Sequence, residues 1–536
     1  MRSNSPSHAA SFVVSLVCVL TLMAISAKQA GANTLRPTQV LVVYDSRIAD
    51  SVEVAEFYAG SALVPGGSGT EPGVHEGLRV FDLASAGVAS TAVNGAVFYD
   101  DWIAQYREPI RAHLLANDLD LAIRCIVLCK GLPHRIDDIT NPGIGDQPGD
   151  FSAHWIGSRA ISASVDSELS LLWQDLPEGE IDLFRDVDTG YIQNPYWRQT
   201  RPINTYTNKE VRTPKAWVGI QAGRSATTAS DDPREVLTPG DVLLVCRLDG
   251  HSVADVRAMV TRAQNLVYDT DAVGFVLDES ASNGIADPTN NAELDNIMDI
   301  LSRDDDYETT RDLILSDGRF DPARMFYNAD SGVTQFLLGP NVDFGGVGIV
   351  VADPIVLLTH YGRNHAGNPG TPIVNQYDES FNLAPGAVFS TMESYNGRAF
   401  NGLPTRFNQG QVADFIGAGG TFGIGMVWEP FAQTVPDSQW IARNFILGGL
   451  TWAEAAYTAI PAVSWMHVVV GDPLARATRT SDDINGDGVF DVEDLYAFEK
   501  TPVDINRDGV ADNADRQLLI STFRVPIQET GDAGRR

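Results

Sequence analysis

The stretch I-V-L-L-T-H-Y-G, Ile355 to Gly362, sets the reading of the whole chain. Four aliphatic residues and a threonine follow one another with no polar alternation. Successive side chains of a strand point to opposite faces, so such a run suits a strand buried on both. It then stops at a histidine, a tyrosine and a glycine. Runs of the same kind recur at Val40–Tyr44, Ala122–Leu128, Val242–Cys246, Val273–Leu277, Ile349–Val351, Ala387–Thr391 and Val468–Val470. Amphipathic stretches at Ser51–Gly60, Phe98–Leu115, Val253–Val267 and Ala292–Leu301 read as helices between them. Alternation of this kind predicts an α/β body from about residue 37 to 476, a mostly parallel sheet flanked by helices, with an inserted polar segment near 184–240.

Ligand sites in such sheets lie beyond the carboxyl ends of the strands. The polar residues there are Asp45, Lys130–His134, Arg247–His251, Thr359–Gly362 and Met392–Gly397, joined by Ser164–Leu169 at the start of a helical pattern. Their expected common position on one sheet edge marks a candidate site. Taken singly, each acid is more simply a helix cap or a salt-bridge partner. Asp166, Glu168, Asp249 and Glu393 are candidates for paired-carboxylate chemistry by position alone.

The second decisive stretch is D-I-N-G-D-G-V-F-D-V-E-D from Asp483, which recurs as D-I-N-R-D-G-V-A-D-N-A-D from Asp504. A twelve-residue calcium loop offers oxygens from positions 1, 3, 5, 7, 9 and 12 around a glycine at position 6. The first copy supplies Asp483, Asn485, Asp487, the carbonyl of Val489, Asp491 and Asp494, with Gly488 at the turn. The second supplies Asp504, Asn506, Asp508, the carbonyl of Val510, Asp512 and Asp515, with Gly509 at the turn. Every slot is filled twice, so the tail is expected to bind two calcium ions. Each loop runs into an apolar helical segment, and metal-free acids would repel, so calcium is expected to fold this small α-helical domain, residues 481–525, ahead of a flexible end at 526–536.

At the other terminus, Arg2 precedes an apolar run that ends in A-G-A at Ala30–Ala32, the layout of a secretory signal over residues 1–32. The expected product is secreted, extracellular or held at the cell surface, with no membrane span once the signal is gone. Cys125 and Cys129 fall on one face of an apolar run and read as buried free thiols rather than a redox or metal pair. A formal charge of −32 repels nucleic acid and anionic membranes, and thirteen acids against six Lys or Arg beyond residue 480 account for only a small part of it.

The paired loop-helix at the C-terminus resembles a type I dockerin, the module that docks into a cohesin on a scaffold or cell surface. The resemblance implies a cohesin-like or cell-surface scaffold partner, with Val492, Glu493, Asn513 and Ala514 at the loop positions that often select it. In the body, the order T-H-Y-G, A-P-G-A-V-F-S-T-M-E-S-Y-N-G-R-A-F, G-A-G-G-T-F-G-I-G, W-A-E-A-A-Y and V-V-V-G-D-P-L resembles the gingipain-like branch of the caspase-fold cysteine peptidases. With V-L-V-V-Y-D-S and R-L-D-G it is more similar still to an uncharacterised secreted bacterial family related to that branch. His360 falls where the branch has its catalytic histidine, and Ser394 where it has the cysteine.

A hydroxyl needs a far better placed base than a thiol does, and no G-x-S-x-G elbow surrounds Ser394. Two functions remain open. One is a secreted calcium-binding protein with a non-catalytic caspase-like body tethered through its dockerin-like module. The other is an extracellular hydrolase, peptidase or polysaccharide-acting, with Ser394 and His360 (or His365 as the imidazole) in its active site.

Overall fold

A computed structural model describes residues 33–137, 163–174, 192–206, 215, 218–221, 224–228, 236–278, 307–328, 336–360, 376–400, 409–428, 430, 434–487 and 490–522. The signal expected at 1–32, the helix expected at Ala292–Leu301, His365, Gly488, Val489 and the end expected to be flexible at 526–536 lie outside the described residues.

The body is mixed α/β around a ten-stranded, mostly parallel sheet flanked by helices. In chain order its strands are β1 (Val40–Tyr44), β2 (Arg79–Asp82), β3 (Cys125–Cys129), β4 (Leu244–Leu248), β5 (Gly274–Asp278), β6 (Met325–Asn328), β7 (Ile355–His360), β8 (Leu383–Ser390), β9 (Phe422–Met426) and β10 (His467–Val470). Across the sheet they run β6-β5-β7-β8-β9-β10-β4-β3-β1-β2. Every residue of β1, β3, β4, β5, β7, β9 and β10 is buried, as the unbroken apolar runs require of strands covered on both faces.

All pairings are parallel except β9 with β10, where Gly423 faces Val470 and Met426 faces His467. The strands on the two sides of that junction therefore point in opposite directions. This corrects the expectation of one shared edge. Asp45, Lys130–His134 and Arg247–His251 follow β1, β3 and β4 at one edge, whereas His360 and Met392–Gly397 follow β7 and β8 at the other.

Strand β9, in the glycine-rich F-G-I-G-M, escapes a periodicity reading because glycine lowers strand propensity. Its glycines have a packing reason. A Cβ on Gly425 would lie 2.6 Å from the Cα of Gly397, and that close approach lets Gly397 N–H reach Met426 O at 2.9 Å. The helix expected over Phe98–Leu115 is interrupted, with a π-helical turn at Ile103–Arg107 before Glu108–Ala116. Within the polar insert, Ile192–Gln193, Val218–Gln221 and Arg224–Thr228 pair with Ala462–Val463 in a four-stranded sheet.

Helices Ala49–Ala59 and Val253–Ala263 pack on one another, and Trp452–Ala459 packs on β4. Asp472, in the G-D-P turn, ties these layers together. Its buried carboxylate accepts from Tyr58 Oη at 2.7 Å and Gln264 Nε2 at 2.8 Å, and pairs with His75 Nε2 at 2.8 Å. Cys125, Cys129 and Cys246 are buried free thiols, and burial pushes the last two well above ordinary thiol values.

Two measurements probe this architecture. Gly425→Ala is expected to cost about 1–3 kcal/mol, the range for overpacking, and denaturant unfolding that leaves the midpoint unchanged refutes the close-approach account. Buried His467 is held neutral, its pKa lowered from 6.5 to about 4 by burial. The unfolded chain takes up that proton first, so this group removes stability as pH falls from about 6.5 towards 4 and has no effect above that window. In thermal melts across that range, His467→Gln should show a shallower acid loss than the parent.

Candidate functional site

At the first edge, the strand-end charges are occupied with one another. Arg247 grips Asp166 through Nη2 at 2.6 Å and Nε at 3.2 Å, and also meets Asp249 at 3.4 Å, while Lys130 Nζ reaches Gly250 O at 2.6 Å and Asp249 at 3.4 Å. Buried charges persist only when paired, and these are. Glu168 accepts from Ser464, and Asp45 is held bidentately by Arg47. The structural reading of these acids therefore accounts for their contacts. His134, kept neutral by burial and by the nearby Arg135 and Arg247, meets the carbonyl of Arg398 through Nε2 at 2.7 Å, so loops from the two halves touch here.

The second edge is different. His360 ends β7, fully buried, with Nε2 3.1 Å from Asp378 Oδ1 and its ring edge-on to Tyr377 at 4.8 Å between centroids. The next strand leads into Glu393 and Ser394. Met392 N–H donates to His360 O at 3.1 Å, which ties this loop to the strand end. Glu393 Oε2 accepts from Gly410 N–H at 2.7 Å. One donor atom each from His360, Asp378 and Glu393 lies within 4.8 Å of the others.

Burial raises Tyr377 well above an ordinary phenol, helped by the carboxylates of Asp278, Asp378 and Glu393. Ser394 Oγ takes its hydrogen bond from Gln409 Nε2 at 2.9 Å. Its hydrogen bonding thus runs to an amide, while His360 turns to a carboxylate. Tyr395, the next residue, holds φ at 58°, a left-handed conformation that side-chain-bearing residues rarely adopt. Sequence reasoning singled out His360, Glu393 and Ser394 but missed Asp378, which sits in an unremarkable Y-D-E-S and reaches His360 only by folding.

The C-terminal loops share one hydrogen-bond plan. At position 12, Asp494 accepts from Asn485 N–H and Asp491 N–H, and Asp515 accepts from Asn506 N–H and Asp512 N–H. At position 1, Asp483 and Asp504 each accept from the amide of position 5, Asp487 and Asp508. Asn485 and Asn506 each donate through Nδ2 to the position-5 carboxylate. Helices Val492–Lys500 and Asn513–Thr522 follow the loops, and Leu495, Phe498, Ile505 and Leu519 form a small core of their own.

This unit is not a free appendage. Asp482, just ahead of the first loop, is buried between Arg479 Nε at 2.5 Å and Arg319 Nη1 at 2.9 Å, and the two cations hold its carboxyl below the usual range against burial. In the second loop Arg507 stands where the first has Gly486, and takes the same left-handed conformation at φ 61°. Its guanidinium reaches Arg319 O at 3.0 Å, Thr270 O at 3.3 Å and Asp271 Oδ1 at 2.5 Å on the body. Arg507→Gly removes about 1–2 kcal/mol of backbone strain but also these contacts. Hydrogen exchange in Asn513–Thr522 should accelerate in that variant, and an unchanged rate would show that Arg507 does not dock the tail.

Among the described residues, no helix is long and apolar enough to cross a membrane. Comparison with protein-family models, with curated proteins and with solved structures finds no match to this chain.

Proposed function

We propose that this chain is an exported calcium-binding protein whose paired C-terminal loops take two calcium ions and join it to a cohesin-like surface scaffold. Its caspase-like body acts without thiol chemistry. One observation supports the reading: both loops, with an oxygen-bearing residue at each of the six calcium-loop positions, repeat the same carboxylate-to-amide hydrogen bonds, position 5 to position 1 and position 9 to position 12. Hard cations with six to eight oxygen ligands suit that set.

The hydrolase alternative, with Ser394 as nucleophile and His360 as base, has less support. Ser394 Oγ accepts from Gln409 Nε2 and His360 Nε2 meets Asp378; among the described residues no hydrogen bond joins Ser394 to His360. A catalytic pair needs the base within hydrogen-bond reach of the proton it removes.

Calcium titration by calorimetry should give two ions per chain, and Asp494→Ala and Asp515→Ala should each remove one. At free calcium a hundredfold above Kd, each site adds about 2.7 kcal/mol of stability, so chelation should lower the melting temperature of the tail. Calorimetry showing no uptake overturns the reading. Fluorophosphonate labelling that disappears in Ser394→Ala would instead establish the hydrolase.

A further inference from the structure

We propose that His360, Asp378 and Glu393 form a binding site for one divalent transition-metal cation of the zinc class, separate from the tail loops. The three side chains come from the end of β7, from the segment leading into β8 and from the loop that follows it, and none is more than 3% exposed. Their donor atoms, one imidazole nitrogen and two carboxylate oxygens, lie within 4.8 Å of one another. An imidazole nitrogen and two carboxylate oxygens converging out of water form a donor set that a single divalent cation can bridge.

The donor set selects the ion. Calcium and magnesium favour all-oxygen shells, which the tail loops offer, whereas imidazole with carboxylate suits zinc and its first-row neighbours. Zinc bonds of about 2.0–2.2 Å require the three donors to draw together by a fraction of their present separation. Three protein ligands leave a fourth position for water or substrate, the arrangement of catalytic rather than structural zinc sites.

The surroundings hold the donors in place. Tyr377 packs edge-on to the imidazole, and its hydroxyl is anchored on Leu337 O at 2.9 Å. Gly410 N–H fixes Glu393, and a Cβ at Gly410 would come 1.7 Å from Asp378 Oδ2, so this loop closes on the site with its bare backbone. Tyr307 Oη and Met392 N–H both bond the carbonyl of His360 and hold the strand end that carries it. Supporting contacts of this kind orient metal ligands in known sites.

The test uses the full chain with its tail saturated with calcium, titrated with cobalt(II) and followed by ligand-field absorption, then with zinc in competition against a chromogenic chelator. One equivalent of cobalt, displaced by one of zinc, is expected. His360→Ala and the near-isosteric Asp378→Asn and Glu393→Gln should each weaken zinc by at least about a hundredfold, since loss of even an outer-shell partner costs 10–100-fold. Those variants should keep both calcium ions, which reports that they fold. Conversely, Asp483→Asn combined with Asp504→Asn should reduce calcium binding and leave zinc unchanged. Less than one equivalent of cobalt on the parent chain, or zinc affinity indifferent to all three site variants, overturns the proposal. Neither outcome bears on the calcium reading of the tail.

Discussion

The antiparallel contact between Phe422–Met426 and His467–Val470 is the constraint on which the rest of this structure depends. It joins two sets of parallel strands into one sheet while reversing their direction, and it requires backbone to approach backbone at Gly397 and Gly425 with no side chain between. With the direction reversed, the polar strand ends separate into two groups. One group, around Arg247, Asp166, Asp249 and Lys130, neutralises itself and holds loops together. The other, around His360, Asp378 and Glu393, gathers two acids and an imidazole in a buried space. Chemistry is therefore best sought at only one edge of the sheet.

The tail obeys a different logic. In both loops the position-12 carboxylate accepts from the position-9 amide of its own loop, so the loop backbone fixes that side chain. The acids crowd together at an electrostatic cost, which a bound cation would remove. The second loop also leans on the body through Arg507, at a position where the first loop has glycine and makes its turn without strain. The second loop's turn and the seating of the tail thus share one short segment of backbone, and the buried Asp482 between Arg319 and Arg479 clamps the chain that leads into the first loop.

Much of the sheet was legible beforehand. Val40–Tyr44 matches its strand residue for residue, and Ile355–Thr359 falls one residue short, because unbroken aliphatic runs have few alternatives to a doubly covered strand. Boundaries slipped elsewhere: the run at Ala122 begins its strand only at Cys125, and the run at Val242 only at Leu244, since apolar character marks burial and not the onset of pairing. The glycine-rich F-G-I-G-M stayed hidden because its strand is dictated by what packs against it. At the site, His360 and Glu393 stood out at strand ends, but Asp378 did not, since eighteen positions of chain separate it from the histidine it meets.

By itself the sequence determined the class of fold, the doubly buried strands and the twelve-residue spacing of oxygens in each tail loop, because these follow from local periodicity and fixed offsets along the chain. Tertiary structure alone decided which strand ends share an edge, which acids are spent in ion pairs, that Ser394 meets Gln409, and that Asp378 joins His360 and Glu393. Those outcomes depend on strand direction and on contacts between distant segments, and no local pattern encodes either.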